Sequence, residues 1–378
     1  MLQRLRAFLW DGNPEIDGAG LRGQPPIPSG PRILLVRAGA IGDTLMATPL
    51  VRAIRGTFAN AHVTFICANG ARDVLAHNPH LDRVIGLSYR HVPARLSPEK
   101  ARIIRSLRTF DLDWAVVLES HRSFVDLACR VNPAHLVAYG TVPGRPIEKV
   151  VFDPNKHSIE NHLHAGGALG VQPAGLEMEL HYPPATKAAL QAQLERAGIG
   201  SGDLLVGLHA GWGGRTQPPE QTRLRSWPPK RFAAIARWLT ETLGARVVLT
   251  GSLNDRPLTG FIAQHAAVPC VNLAGSLSVL ELAALIDRLD ALVSVDSGPA
   301  HMAAALGTPL VALFGPGIFQ QTRPLTGRGT LHVIRHQVPC SPCYGTPLMK
   351  SCKDNVCMKQ IEVSEVQEAI VSLLAGVT

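Results

Sequence analysis

Residues 289–315 read LDALVSVDSGPAHMAAALGTPLVALFG, and this stretch decides the fold. Residues 291–295 form an apolar, β-branched run of the kind a parallel strand buried on both faces requires. Asp296-Ser297-Gly298-Pro299 then opens a small-residue helix over 300–306, with Asp or Ser placed to cap it and Pro299 tolerated in its first turn. Gly307 stops that helix, and 309–314 is a second apolar strand. Together they make a βαβ crossover whose turn lies at the carboxyl end of a strand, where open parallel sheets bind ligands. A helix that starts on Ser-Gly presents unpaired N–H groups and the positive end of its dipole, and the glycine lets an anion approach the main chain. An ordinary capped turn is the plainer use of the same residues, so the surroundings must decide.

The chain has 378 residues, 46% hydrophobic and 17% charged, enough for two α/β domains of ordinary size. No apolar run reaches the roughly 18 residues of a membrane span, and charges interrupt the short apolar core of MLQRLRAFLW, so a cytoplasmic protein is expected. A net charge of +8 and a pI near 9.3 favour an acidic partner. Nucleic acid is set aside, because aromatics are only 5% and no arginine-rich or aromatic-studded basic motif occurs. Residues 1–30 read as an N-terminal extension and linker: a basic amphipathic turn or two, then GAGLRGQPPIPSG. This is a loosely packed terminus or, through Arg4 and Arg6, a peripheral contact with an anionic membrane face.

The first confident strand is RILLVR, 32–37, followed by AGAIGD and a helix over about 44–55 that Pro49 makes irregular. Gly39 and Gly42 permit a tight turn, but G-A-I-G is not the dinucleotide fingerprint. Asp43 sits at the helix start, where the dipole keeps a carboxylate ionised; it is a helix cap or a general base for a hydroxyl. Strands at 62–68, 84–87 and 114–120 alternate with helices near 69–77 and 97–109, the signature of a doubly wound parallel sheet. Glu119 and His121, at the end of the third of these, are placed to line a cleft on the acceptor side, as is Gly42. Asp111-Leu112-Asp113 precedes a buried strand and reads as turn chemistry. His157, His162 and His164 lack an accompanying carboxylate cluster and do not read as a metal site.

The texture changes at Pro183-Pro184 and the glycines that follow, which sets a domain boundary between 31–185 and 186–378. A second series follows, with strands at 204–210, 245–251 and 269–273, helices at 229–243, 255–266 and 278–288, and then the opening unit. Two Rossmann-like halves leave one deep cleft between them. The basic, glycine-rich loop between Gly211 and Lys230 is long enough to be functional, and Arg223, Arg225 and Lys230 can supply charge to a diphosphate.

Four segments in this order, RILLVRAGAIGDTLMATPLVRAIR, RSWPPKRFAAIA, LAGSLSVLELAALI and VSVDSGPAHMAAALGTPLVALFGP, resemble glycosyltransferase family 9, the ADP-heptose-dependent heptosyltransferases of lipopolysaccharide core synthesis. The resemblance spans roughly residues 31–375. It implies a GT-B fold, acceptor in the N-terminal half and nucleotide-sugar in the C-terminal half, and inverting transfer without a catalytic metal. The family's base maps onto Asp43 and its donor loop onto Asp296, Ser297, Gly298 and His301. Where many members carry lysine two residues before Trp-Pro, this chain has Arg225; Arg215, Arg223 or Lys230 are alternative phosphate contacts. Gly211 would form the second phosphate cradle, Asp255 would hold the ribose with Asn254 as near, and Leu277 with Ser278 would border the adenine. The implied partners are ADP-heptose and a lipopolysaccharide core acceptor at the inner membrane. A protein heptosyltransferase of the autotransporter-modifying kind, a member using another nucleotide-sugar, and a non-catalytic nucleotide-sugar-binding protein are the alternatives.

Four of seven cysteines cluster as Cys340, Cys343, Cys352 and Cys357. In a cytosolic chain this spacing reads as a structural zinc or iron knuckle against free thiols in a capped loop. Some family relatives that glycosylate autotransporters are similar here, with cysteine-bound iron. Cys67, Cys129 and Cys270 lie in apolar segments and read as core. The last helix, about 363–374, is expected to pack across the cleft, as in GT-B folds.

Overall fold

The computed structural model describes residues 29–212 and 224–375. The basic stretch at 1–10 and the candidate phosphate contacts Arg215 and Arg223 lie outside them.

Two six-stranded parallel sheets make up the chain. The first contains β1 (Arg32–Arg37), β2 (His62–Ala68), β3 (Arg83–Leu87), β4 (Trp114–Val117), β5 (His135–Ala138) and β6 (Glu148–Lys149), in the order β3-β2-β1-β4-β5-β6. The second contains β7 (Leu205–His209), β8 (Arg246–Thr250), β9 (Cys270–Asn272), β10 (Ala291–Val295), β11 (Leu310–Leu313) and β12 (Leu331–Ile334), in the order β12-β11-β10-β7-β8-β9. With helices joining most successive strands this is the GT-B architecture. Every residue of β7, β10 and β11 is buried, which is why these strands read as nearly continuous apolar runs, broken only by Ser294 and His209, rather than alternating ones. Each sheet reverses its winding once, between β1 and β4 and between β7 and β10. Ligands bind outside the carboxyl ends of strands at such switch points, so the segments after these four strands are where chemistry is expected.

Short and marginal strands escaped the sequence. β5 and β12 have four residues each, β6 has two, and β12 is only half-buried, so none carries a long apolar run. The helix expected at 69–77 is a 3₁₀ turn, Asn69–Ala71, followed by further turns, because its backbone bonds run three residues back. The helix expected over 44–55 is two helices, Ile41–Leu45 and Thr48–Thr57. Pro49 has no N–H to continue the first and sits instead in the opening turn of the second.

The terminal helix, Val363–Ala375, does not cross the cleft. Its buried stripe of Val366, Ala369, Ile370 and Leu373 joins the core of the second sheet, and it lies against β10, β11, β12 and the Pro229–Leu243 helix. Apolar contact between the halves is continuous, running from Ile33 and Leu35 through Leu285 to Ala300 and Met302. Cys67 and Cys129 are buried and Cys270 is half-buried. Among the described residues no helix is long and apolar enough to cross a membrane.

Candidate active site

Both switch points open onto one cleft of about 460 Å³. From the first half it is lined by Arg37 at the end of β1, by Gly42 and Asp43 after it, by Glu119 after β4, and by Tyr139 and His162. From the second half come Arg225, Asp296, Ser297, Gly298 and His301.

Asp43 is the third residue of the Ile41–Leu45 helix. Its Oδ1 accepts from Arg37 Nη2 at 2.6 Å and its Oδ2 from the Ala40 N–H at 3.0 Å. A Cβ on Gly39 would lie 2.3 Å from the Asp43 Cβ, so only glycine lets the turn fold this tightly. Arg37 also reaches Glu119 Oε1 at 3.1 Å and donates to the Leu118 carbonyl at 3.2 Å, while Glu119 accepts from the Ala38 N–H at 3.1 Å. One guanidinium thus ties the ends of β1 and β4 together through two carboxylates. Burial opposes charge on Asp43, but Arg37 and the Ala40 N–H outweigh it and hold the carboxyl below its ordinary range. Sequence reading missed Arg37; the signal was a basic residue closing a buried strand six residues before a candidate base.

Across the cleft, the Gly298–Leu306 helix begins with Ser297 extended at its N-cap and no side chain capping it. The expected cap is absent because Ser297 Oγ lies 3.1 Å from Ser294 Oγ instead. The first turn therefore keeps its positive end open towards the cleft. Asp296 is 4% exposed, and burial, only partly offset by Arg225 and aggravated by Asp43, pushes its carboxyl up. Arg225 holds it by a bond from Nη1 to the Asp296 carbonyl at 3.0 Å and an ion pair to Oδ2 at 3.4 Å, and lies 4.4 Å over the Tyr344 ring. His301 is buried and neutral; burial drives it down to about 4 although Asp43 pulls the other way.

The halves meet through glycine. A Cβ on Gly42 would come within 2.4 Å of His301 Cδ2, and one on Gly298 within 3.1 Å of Ile41 Cβ. Close approach of the two helix starts is what places Asp43 opposite Asp296, Ser297 and Gly298.

Other candidates fall elsewhere. His121 does not line the cleft: its Nδ1 accepts from the Ser123 N–H at 3.2 Å, capping the Arg122–Val131 helix, and its ring lies edge-on to His91. Lys230 is exposed in the first turn of the Pro229–Leu243 helix. Leu277 packs on the core. Asp255 accepts from the N–H and hydroxyl of Ser252 at 2.8 and 2.7 Å, and its carboxylate lies where a Cβ on Gly211 would need to be, so these two meet each other beside Trp212, which does line the cleft.

The four clustered cysteines line a small shared cavity behind the site. Burial, with the neighbouring thiols adding to it, raises Cys343 and Cys357, the latter to about 11. Even so, among the described residues no group of three or more His, Cys, Asp or Glu is arranged to hold a metal. Distance along the chain separates this segment from the site, but the fold does not: Tyr344 supports Arg225, and Asn355 donates to the Leu224 and Ser226 carbonyls at 3.1 and 2.7 Å.

Two facing parallel α/β halves, with a carboxylate on one wall and an open helix start on the other, are the GT-B architecture. Residues 218–352 match the family described as glycosyltransferase family 9 (heptosyltransferase). Lipopolysaccharide heptosyltransferase 3 of Escherichia coli is 27% identical over 286 residues, 72% of this chain and 80% of that one. The glycosyltransferase family 9 structure from Veillonella parvula superposes with a TM-score of 0.77 at 20% identity, covering 92% of this chain and 98% of its own. The E. coli ADP-heptose lps heptosyltransferase II structure gives 0.72 at 23%, covering 91% and 99%. These matches make the chain similar to glycosyltransferase family 9 in sequence over residues 218–352 and in fold over most of its length.

Proposed function

We propose that this enzyme is an inverting, metal-independent heptosyltransferase that moves a heptose from ADP-heptose to a hydroxyl of a lipopolysaccharide core, with residues 31–185 holding the acceptor and 186–378 the donor. The observation that carries it is Asp43 facing the open start of the Gly298–Leu306 helix across one cleft. The nature of the sugar and acceptor comes from relatives named lipopolysaccharide heptosyltransferases and from the structural neighbour named for ADP-heptose.

In this mechanism Asp43, kept ionised by Arg37, takes the proton of the acceptor hydroxyl. The acceptor oxygen bonds to the anomeric carbon as its bond to the diphosphate breaks from the opposite face, and ADP leaves with the bonding pair. Charge growing on that phosphate is met by the N–H groups of Ser297 and Gly298, and Arg225 adds a fixed cation. Asp296, whose raised carboxyl lies beside Arg225, orients the sugar. Gly211 and Asp255 carry the nucleotide end, with Leu277 bordering the base. Closure of the halves excludes water that would hydrolyse the donor.

Calorimetry with ADP-heptose against UDP- and GDP-sugars, followed by turnover on a heptose-deficient core, tests this reading. Tight ADP-heptose binding with transfer is expected; preference for another nucleotide-sugar overturns the heptose assignment. Glycosylation of a protein acceptor but not of the core would move the enzyme to the alternative acceptor class.

A zinc or iron ion among Cys340, Cys343, Cys352 and Cys357 is a second element of the proposal. Gathered thiols suit a cation, which would stabilise their thiolate forms, and it would brace Tyr344 rather than take part in transfer. Metal analysis of the purified chain should find one ion per chain; none, with all four thiols titrating freely, rejects it. We place the enzyme in the cytoplasm, with the basic N-terminal stretch on an anionic inner-membrane face, and deletion of residues 1–28 should then reduce vesicle sedimentation without changing donor affinity.

A further inference from the structure

The first-half wall of the cleft carries a polar group that the mechanism above does not use. His162 is 1% exposed in the Ser158–Gly167 helix and lines the cleft, and its Nε2 has no hydrogen-bond partner among the described residues. Its Nδ1 lies 3.0 Å from Tyr139 Oη. The phenol has no other acceptor for its proton among the described bonds, so it donates to Nδ1, and the imidazole proton then sits on Nε2. A buried N–H left without a partner is costly, and such groups are normally satisfied. Burial keeps the ring neutral and keeps the Tyr139 phenol protonated, so the arrangement persists at neutral pH.

The surroundings limit what can pair with that N–H. Arg37, whose charge reaches the His162 ring, already faces both Asp43 and Glu119, so this wall has two carboxylates to one guanidinium and disfavours a phosphorylated or carboxylated ligand. Phe152 lines the cleft next to Tyr139, its ring edge-on at 5.4 Å, and offers an apolar surface to the C–H face of a sugar. We infer that Tyr139 and His162 form an acceptor subsite in which His162 Nε2–H donates to a hydroxyl oxygen of a neutral sugar ring beside Phe152. This rests on the transferase reading above and adds a specificity-determining residue, His162, with Tyr139 positioning it.

The test uses the whole chain with Tyr139→Phe and His162→Gln, the first removing only a hydroxyl and the second retaining a side-chain donor. Acceptor KM and kcat are measured on heptose-deficient core, donor Kd by calorimetry, and binding of the deacylated core by ¹⁵N shifts of the histidine rings. Tyr139→Phe should raise acceptor KM roughly tenfold, with His162→Gln intermediate, while kcat and donor Kd hold. The His162 Nε2 resonance of the wild type should move when core is added without donor. Unchanged acceptor KM in both variants, or donor Kd rising in step with KM, overturns the subsite and leaves the donor assignment standing. Core that shifts His162 in an enzyme inert towards ADP-heptose does the reverse.

Discussion

At the scale of single residues, the site depends on one guanidinium and the carboxylate it holds. Arg37 keeps Asp43 ionised, so the acid limb of kcat/KM should lie below the ordinary carboxylate range. The sign follows: replacing Arg37 by Gln removes the charge that depresses Asp43, its carboxyl rises, and the limb moves to higher pH, whereas Arg37→Lys moves it less. A pH–rate profile that does not shift in Arg37→Gln would show that Asp43 is not the titrating group. Asp43 and the Asp-Ser-Gly-x-x-His loop were legible in the sequence because helix starts after buried strands have a recognisable residue chemistry. Arg37 and His162 were not, since what sets them apart is a partner, Glu119 or Tyr139, that lies far off in the sequence and carries no local signature. His121 shows the converse: a polar residue at a strand end met the rule for cleft residues, and its ring nitrogen serves the adjacent helix instead.

At the scale of elements, the start of the Ile41–Leu45 helix rests directly on the start of the Gly298–Leu306 helix. The Gly42 Cβ position, 2.4 Å from a buried His301 ring, leaves no room for a methyl group. Gly42→Ala should therefore force the two helix starts apart, costing about 1–3 kcal/mol of stability and lowering kcat more than it weakens donor binding. Thermal unfolding read with turnover checks this, and a variant with native Tm and kcat would contradict it. The cysteine segment acts through a different contact, Tyr344 under Arg225. Tyr344→Ala should weaken donor affinity by roughly fivefold, the value of about 1 kcal/mol for such a pair, and calorimetry would detect it. Long elements were legible because periodicity extends over many residues: the Pro229–Leu243 helix stands at the predicted bounds. Short edge strands and the placement of the terminal helix were not, since both depend on which neighbouring surface an element finds.

Over the whole molecule, the two halves are joined by apolar contact and by bonds across the cleft, His157 Nε2 to the Arg323 carbonyl at 2.9 Å and Gln321 to the Pro154 carbonyl at 2.9 Å. Burial depresses His157, His162, His209 and His301, the last two to about 4. Unfolding releases these rings to an ordinary value near 6.5, so the unfolded chain binds more protons below that pH. Stability should hold above about 6.5 and fall as pH drops from there towards 4, and Tm measured across that window should decline more steeply than in His157→Asn. An unchanged slope would remove His157 from the account. The two-sheet plan could be read from the sequence because alternating strands and helices specify parallel winding. The meeting of two helix starts could not, as it is a relation between halves that no contiguous stretch records.

The most direct measurement compares Asp43→Asn with the wild type for ADP-heptose affinity by calorimetry and for transfer in a single turnover on heptose-deficient core. Donor Kd unchanged within about twofold, with transfer slowed about 10²- to 10⁴-fold, is the predicted result for a base that does not hold the donor. Transfer at the wild-type rate, or donor binding lost together with it, would contradict the assignment of Asp43 as the base that faces the open helix start.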